Sequence, residues 1–182
     1  MPSGRTHDRI TYLSLLPLVI IIYSLTRRIE WLFWFSGAYL FSGLMFGPDL
    51  DIYSVQYKRW GIIRWIWLPY QSCFKHRSFF SHGFILGTAI RVIYLLTIIL
   101  IVAIFIVAIA QLIWGFPWNW RNFANRSFNL LKNRYLAEAI VTLIALELGA
   151  MSHSFSDYLV SYFKHSQKKQ KKRPSKRNKI SK

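Results

Sequence analysis

One cysteine, Cys73, is all the sequence holds. That excludes an internal disulfide and any cysteine-rich zinc motif. Acid is also scarce: seven Asp and Glu stand against 24 Lys and Arg, for a formal charge of +17. Charge is missing altogether from Val92 to Trp114, a run longer than an ordinary hydrocarbon core requires. A soluble helix of that length would need a polar face, so the run points to a membrane. No small-residue cleavage site follows the first apolar block, where Ser24 is followed by Leu25, Thr26, Arg27 and Arg28. The basic N-terminal stretch therefore reads as the flank of a retained helix, not as a signal peptide. The tail beyond Phe163 lacks aromatics on which bases stack, so nucleic acid fits it poorly. No internal repeat is visible.

What is present is bunched. The 182 residues suit one domain. The apolar blocks predict an all-α integral membrane helical bundle with about four transmembrane helices. Helix one is expected over Ile10 to Leu25, with Pro17 as a kink. Helix two runs from Glu30 to Phe46, where Gly47-Pro48 ends it. Helix three runs from Phe84 to Ile113 and helix four from Tyr135 to Tyr162. Between helices two and three, Trp60 to Tyr70 mixes aromatics with Arg64 and reads as an interfacial segment. Gly115 to Asn133 reads as an interfacial loop. Residues 1–163 form the membrane domain and 164–182 a disordered basic tail holding ten of the basic residues. The tail fits a solvated end, or contact with anionic lipid or an acidic protein. With the N-terminus inside, 18 basic residues fall on the cytoplasmic side and six outside. The positive-inside rule favours that orientation, with both termini cytoplasmic.

This topology gathers the chemistry on one face. His76 and His82 bracket Arg77-Ser-Phe-Phe-Ser81, and neutral imidazole suits zinc, iron and nickel. Asp49 and Asp51 follow a helix end, where turning backbone lets both reach toward one ion. His153 and Asp157 are four apart and share a helix face. His7 stands just before helix one; its neighbour Asp8 is a capping residue or a ligand. His165 reads as a solvated tail residue. Ser81 is placed to cap helix three. Glu147 sits among apolar residues and needs a partner or a proton; Arg91 is one candidate. The expected site is therefore His7, Asp49, Asp51, His76, His82, His153 and Asp157 around one or two divalent ions. Zinc is the first choice, with manganese or iron open because carboxylates are harder ligands.

Thr6-His7, Gly47-Pro48-Asp49-Leu50-Asp51, His76-Arg77-Ser78-Phe79-Phe80-Ser81-His82 and Gly149 to Asp157 occur in that order. This series resembles an uncharacterised family of metal-binding membrane proteins common in cyanobacteria. More distantly it is similar to inner-membrane-associated metal-dependent hydrolases. The resemblance implies that the same seven residues gather at one site, in a bacterial inner membrane or a thylakoid membrane. The chain departs from the distant series at Ile52, where a histidine is expected after Asp51.

Three functions fit. The first is a metal-dependent hydrolase acting on a phosphoester or other ester at the membrane surface. In it Asp49 or Asp157 accepts a proton and Arg77 holds an anionic substrate group. The second is a non-catalytic, metal-stapled membrane protein or scaffold. The third is a metal transporter, which would need ligands near the bilayer midplane.

Overall fold

The computed structural model describes residues 4–74, 76 and 78–171, without the side chains of 4–5, 157, 159–161 and 163–171. Among them, all regular structure is helical. α1 (Gly4–Thr26), α2 (Ile29–Leu44) and α8 (Leu136–Lys171) pack together as a bundle. Their contacts rest on small residues. A Cβ on Gly149 of α8 would lie 2.5 Å from the Tyr39 carbonyl oxygen and 3.0 Å from the Gly43 nitrogen, both on α2. A Cβ on Gly43 would lie 2.5 Å from Thr11 of α1. Hydroxyls fasten the same seams. Ser42 donates to the Leu146 carbonyl, Ser14 pairs with Tyr39 at 2.6 Å, and Thr11 pairs with Ser152 at 3.3 Å.

The described residues between 45 and 85 fold into a cap over one end of this bundle. A 3-10 turn (Pro48–Asp51) leads to α3 (Val55–Lys58), a second 3-10 stretch (Gly61–Trp67), α4 (Leu68–Cys73) and α5 (Phe79–His82). Phe46, Leu50, Tyr57, Trp67 and Tyr70 are buried together as its core. Burying side chains of this size typically contributes about 1.5–3 kcal/mol each. Trp67 is fully buried, whereas Trp65 is 63% exposed and Ile62 92% exposed. An inward aromatic core with an outward apolar rim is what a segment at a membrane interface requires. Arg59 and Trp60 tie the cap to α2. Arg59 donates to the Leu44 carbonyl at 2.8 Å, and Trp60 donates to the Met45 carbonyl at 2.9 Å. Both acceptors lie at the C-terminal end of α2, where carbonyls lack helical partners.

α6 (Leu86–Trp114) carries Arg91 as its one charged residue and leaves most of its apolar side chains exposed. It begins at Leu86, two residues later than expected, after Ile85 at φ 62°. Ser78, not Ser81, acts as the nearby cap: it accepts from the Ser81 amide at the start of α5. Among the described residues, three helices are long and apolar enough to cross a membrane: Thr6–Thr26, Leu86–Trp114 and Leu136–Ser156. α2 has 16 residues, or roughly 24 Å of helix. That is short of a ~30 Å hydrocarbon core.

The expected loop at Gly115 to Asn133 is largely a helix. α7 (Trp120–Asn133) starts at an Asn119 cap that accepts from the Asn122 amide at 3.0 Å. Trp120, Phe123, Ala124, Phe128 and Leu131 recur at helical spacing, so α7 is amphipathic. Its many asparagines hid that period.

Candidate metal centre

The cap and the bundle meet at a cluster of imidazoles and carboxylates. The 3-10 turn at Pro48–Asp51 supplies two of its members. Leu50 anchors the turn in the aromatic core, and Gln71 donates to the Leu50 and Ile52 carbonyls at 3.0 and 3.1 Å. Asp49 and Asp51 are thereby sent to different depths. The Asp51 side chain is fully buried, and that of Asp49 is 16% exposed.

His82, from α5, stands between the two carboxylates. Its Nε2 is 3.7 Å from Asp49 Oδ1, and its Nδ1 is 3.7 Å from Asp51 Oδ2. Nδ1 also lies 2.8 Å from Ser81 Oγ, whose hydroxyl is directed to the Ser78 carbonyl. A proton on Nδ1, toward Ser81 and Asp51, leaves the Nε2 lone pair free for a cation. His76 Nδ1 donates to Asp51 Oδ1 at 3.0 Å. Its Nε2 is buried without a hydrogen-bond partner, as is Asp49 Oδ1. Asp49, His76 and His82 each offer a ligand atom within 4.8 Å of the other two, the one such group among the described residues.

His153 approaches from α8. It is one helical turn beyond Gly149, so the close α2–α8 contact fixes its depth. Its Nε2 lies 3.0 Å from Asp49 Oδ2, and its Nδ1 is 3.3 Å from Gln56 Nε2. An amide nitrogen only donates, and Gln56 Nε2 also donates to the Gly43 carbonyl at 3.0 Å. His153 Nδ1 must then accept, which puts the ring proton on Nε2, where it is donated to Asp49. Burial alone raises the Asp49 carboxyl, but hydrogen bonds and charge from His153 and His82 hold it well below the usual carboxylate range. Asp49 is thus anionic and half engaged, with one oxygen toward the cluster.

His7 lies flat on His153, ring centroids 4.0 Å apart and planes 16° from parallel. Both rings are buried. A cleft of about 240 Å³ lined by His7, Asp49, Gln56 and His153 opens on this side. Asp8 is turned away, gripped by the Arg59 guanidinium through both carboxylate oxygens.

Of the seven residues expected at the site, six converge: His7, Asp49, Asp51, His76, His82 and His153. The side chain of Asp157 and all of Arg77 lie outside the described residues. Gln56 and the contact of Ser81 with His82 were not foreseen. Nothing in composition marks Gln56; its position two residues after the Ser54 cap matters only once α3 is folded under the end of α2.

The donor set fits a divalent cation. Two ~2.1 Å bonds at a tetrahedral angle place ligand atoms about 3.4 Å apart, near the 3.7 Å between His82 Nε2 and Asp49 Oδ1. Buried atoms without a hydrogen-bond partner here include His76 Nε2, a lone-pair nitrogen, and the carboxylate oxygens Asp49 Oδ1 and Asp51 Oδ2. Such atoms are costly to bury unless something binds them.

No curated protein and no solved structure matches the chain. A family model described as "Uncharacterized metal-binding protein (DUF2227)" matches residues 2–167. The cluster supplies a physical basis for that description, and the chain belongs to this family.

Proposed function

We propose that the protein is a membrane-bound, metal-dependent hydrolase with a His76, His82 and Asp49 ligand set. The observation that carries this reading is the donor set: among the described residues, Asp49, His76 and His82 each offer a ligand atom within 4.8 Å of the other two. Closed structural zinc sites use four protein ligands, whereas catalytic sites use three and keep a position open. A divalent ion held there supplies Lewis acidity toward a phosphoryl or acyl oxygen.

The chain's own residues divide the remaining work. Asp51 orients His76, and with Ser81 it sets the His82 tautomer. Partners of this kind raise ligand basicity and fix ring direction. His153 holds Asp49, Gln56 holds His153, and His7 backs the His153 ring. With Asp49 taken as a ligand, the general-base role passes to Asp157 or to solvent. Two imidazoles with one carboxylate favour zinc, with iron or manganese next.

In the membrane, we take α2 as a fourth crossing segment because α1 and α8 flank it. Both termini and the metal centre then face the cytoplasm, as the distribution of basic residues favours. External labelling at Asn122→Cys without labelling at Lys176→Cys, in a Cys73→Ser background, is the expected outcome. Labelling at Lys176→Cys in intact cells removes this orientation.

Elemental analysis of the purified protein tests the site. Asp49→Ala is expected to lose most of its metal. His153→Ala is expected to lose affinity by about 10–100-fold, as for other residues that orient a ligand. His165→Ala retains full metal. Full occupancy in both Asp49→Ala and His153→Ala overturns the site. The stapling alternative is favoured if metal-loaded protein turns over neither phosphodiesters nor carboxylic esters.

A further inference from the structure

We propose that the ligand of this site is an anionic phospholipid, with one acyl chain between α6 and α8 and its phosphate beside Arg91 and His82. The chemistry rests on the hydrolase reading above; the binding does not.

An apolar groove of about 550 Å³ runs between α6 and α8, with Phe84, Ala89, Ile93, Leu143 and Ile144 among its lining residues. Both walls are helices of membrane-crossing length and composition. The surrounding medium at such a groove is acyl chain, not water. The groove has a neighbour. Phe84, Thr88 and Glu147 also line a second cavity of about 280 Å³, which continues to Ser81, His82 and Arg91. A molecule that fills both is apolar for most of its length and polar at the end nearest the metal centre.

Arg91 gives the charge of that end. It is 1% exposed. Its terminal nitrogens donate to the Ser81 carbonyl and to Thr88 Oγ1, both at 2.9 Å and both neutral acceptors. Its Nε is buried without a hydrogen-bond partner; among the described residues no carboxylate is in direct ion-pair contact with it, and Glu147 and Asp51 are the carboxyl groups that act on it from further away. A guanidinium in a membrane helix persists where it has an anion to meet, and its fork matches a phosphate. Glu147 sets the register. One of its oxygens accepts the Ile85 amide at 3.0 Å, at the junction of the two cavities. Apart from Thr88 and Glu147 the groove is lined by apolar side chains, which leaves the Arg91 end for the headgroup. Hydrolysis of the bound diester would form a bond from water oxygen to phosphorus and break one P–O ester bond. The departing alcohol takes one of the water protons and the phosphomonoester keeps the other.

The test uses the full chain, metal-loaded and in detergent, with equilibrium binding of three probes. These are dioleoylphosphatidylglycerol, neutral dioleoylglycerol and water-soluble glycerol 3-phosphate. Dioleoylphosphatidylglycerol is expected to bind at least tenfold more tightly than dioleoylglycerol, and glycerol 3-phosphate is not expected to displace it. Ala89→Phe puts a ring into the groove from an exposed position. It is expected to weaken phospholipid binding at least tenfold at unchanged metal content. Val102→Phe, on the same helix away from the groove, binds as wild type. Arg91→Gln is expected to erase the preference for the anionic lipid; if it does not fold, Ala89→Phe still decides. Wild-type binding by Ala89→Phe overturns the proposal, as does equal affinity for dioleoylglycerol or displacement by glycerol 3-phosphate. Turnover of bis(4-nitrophenyl) phosphate without phospholipid binding removes this proposal and leaves the hydrolase. Phospholipid binding without turnover of any ester removes the hydrolase and leaves the lipid site.

Discussion

α8 meets α2 and α6 in opposite ways. Toward α2 it presents Ala145 and Gly149, and the backbones come so close that a methyl group on Gly149 has nowhere to go. Toward α6 it presents Leu143 and Ile144, and the helices stand apart around a groove of about 550 Å³. In water the open side would be a liability, because a large apolar hollow forfeits burial. In a bilayer it is neutral, since lipid tails solvate apolar side chains as well as leucine does. The closed side sets the distance between His153 and Asp49, and the open side leaves an approach to His82. Precision and access are thus assigned to different faces of one helix.

The strongest way to break this contrast is to force the closed side open. Gly149→Val must displace the Tyr39 carbonyl or the backbone of Gly43, neither of which is a flexible side chain. Overpacking of this kind costs about 1–3 kcal/mol, occasionally more, and here it also moves His153 away from Asp49. Thermal unfolding with metal analysis is expected to show both a lowered Tm and lost metal. A variant with wild-type Tm and full metal would falsify the link between close packing and the site.

Removing the metal is expected to act more locally. A ligand at a hundred times its Kd stabilises the native state by about 2.7 kcal/mol. Chelation withdraws that from the segments that hold the ion, 49–51 and 76–82, while the α2–α8 seam keeps its hydroxyl and backbone bonds. Hydrogen exchange should therefore accelerate first in the cap. Uniform acceleration through α2 and α8 would instead mark the metal as a staple for the whole bundle.

Much of this arrangement was legible before the fold. The apolar blocks located α1, α2, α6 and α8 to within a few residues at most ends, because long charge-free runs have few alternatives. The expected topology set seven ligand-type residues on one face, and the fold brings six of them together; the side chain of the seventh, Asp157, lies outside the described residues. Their roles were not legible. Asp49 and Asp51 look alike in sequence, and only the 3-10 turn buries one behind His76 and leaves the other facing it. Gln56 became meaningful only when α3 tucked beneath the last turn of α2. α7 was not legible because its asparagines interrupt the helical recurrence of Trp120, Phe123 and Leu131.

The junction between the two sides of α8 offers a smaller effect of the opposite sign. Ile85 has φ 62° and ψ −52°, a conformation costly for a β-branched residue. It is held where the groove meets the polar cavity, with its amide on Glu147. Such strain costs of order 1–3 kcal/mol. Ile85→Gly keeps the amide donor and removes the side-chain conflict, so it is expected to raise Tm. A lowered Tm would mean that the Ile85 side chain contributes more by packing than its backbone costs.

The smallest expected effect sharpens the comparison most, because neighbouring residues supply the two arms. Ala145 is fully buried against α2, and Ile144 is 49% exposed along the groove. Ala145→Ile adds volume where none is free and should destabilise by about 1–3 kcal/mol. Ile144→Ala removes atoms that meet lipid or detergent on one side and an open groove on the other. No close-packed cavity is created, and apolar contact with the medium is exchanged for more of the same. Its cost should stay within about 0.5 kcal/mol, the range of substitutions outside packed features. Thermal unfolding of the two variants in the same detergent measures both arms. A loss for Ile144→Ala as large as that for Ala145→Ile would show that α6 closes onto α8 in the membrane. The open side would then be a second packed seam.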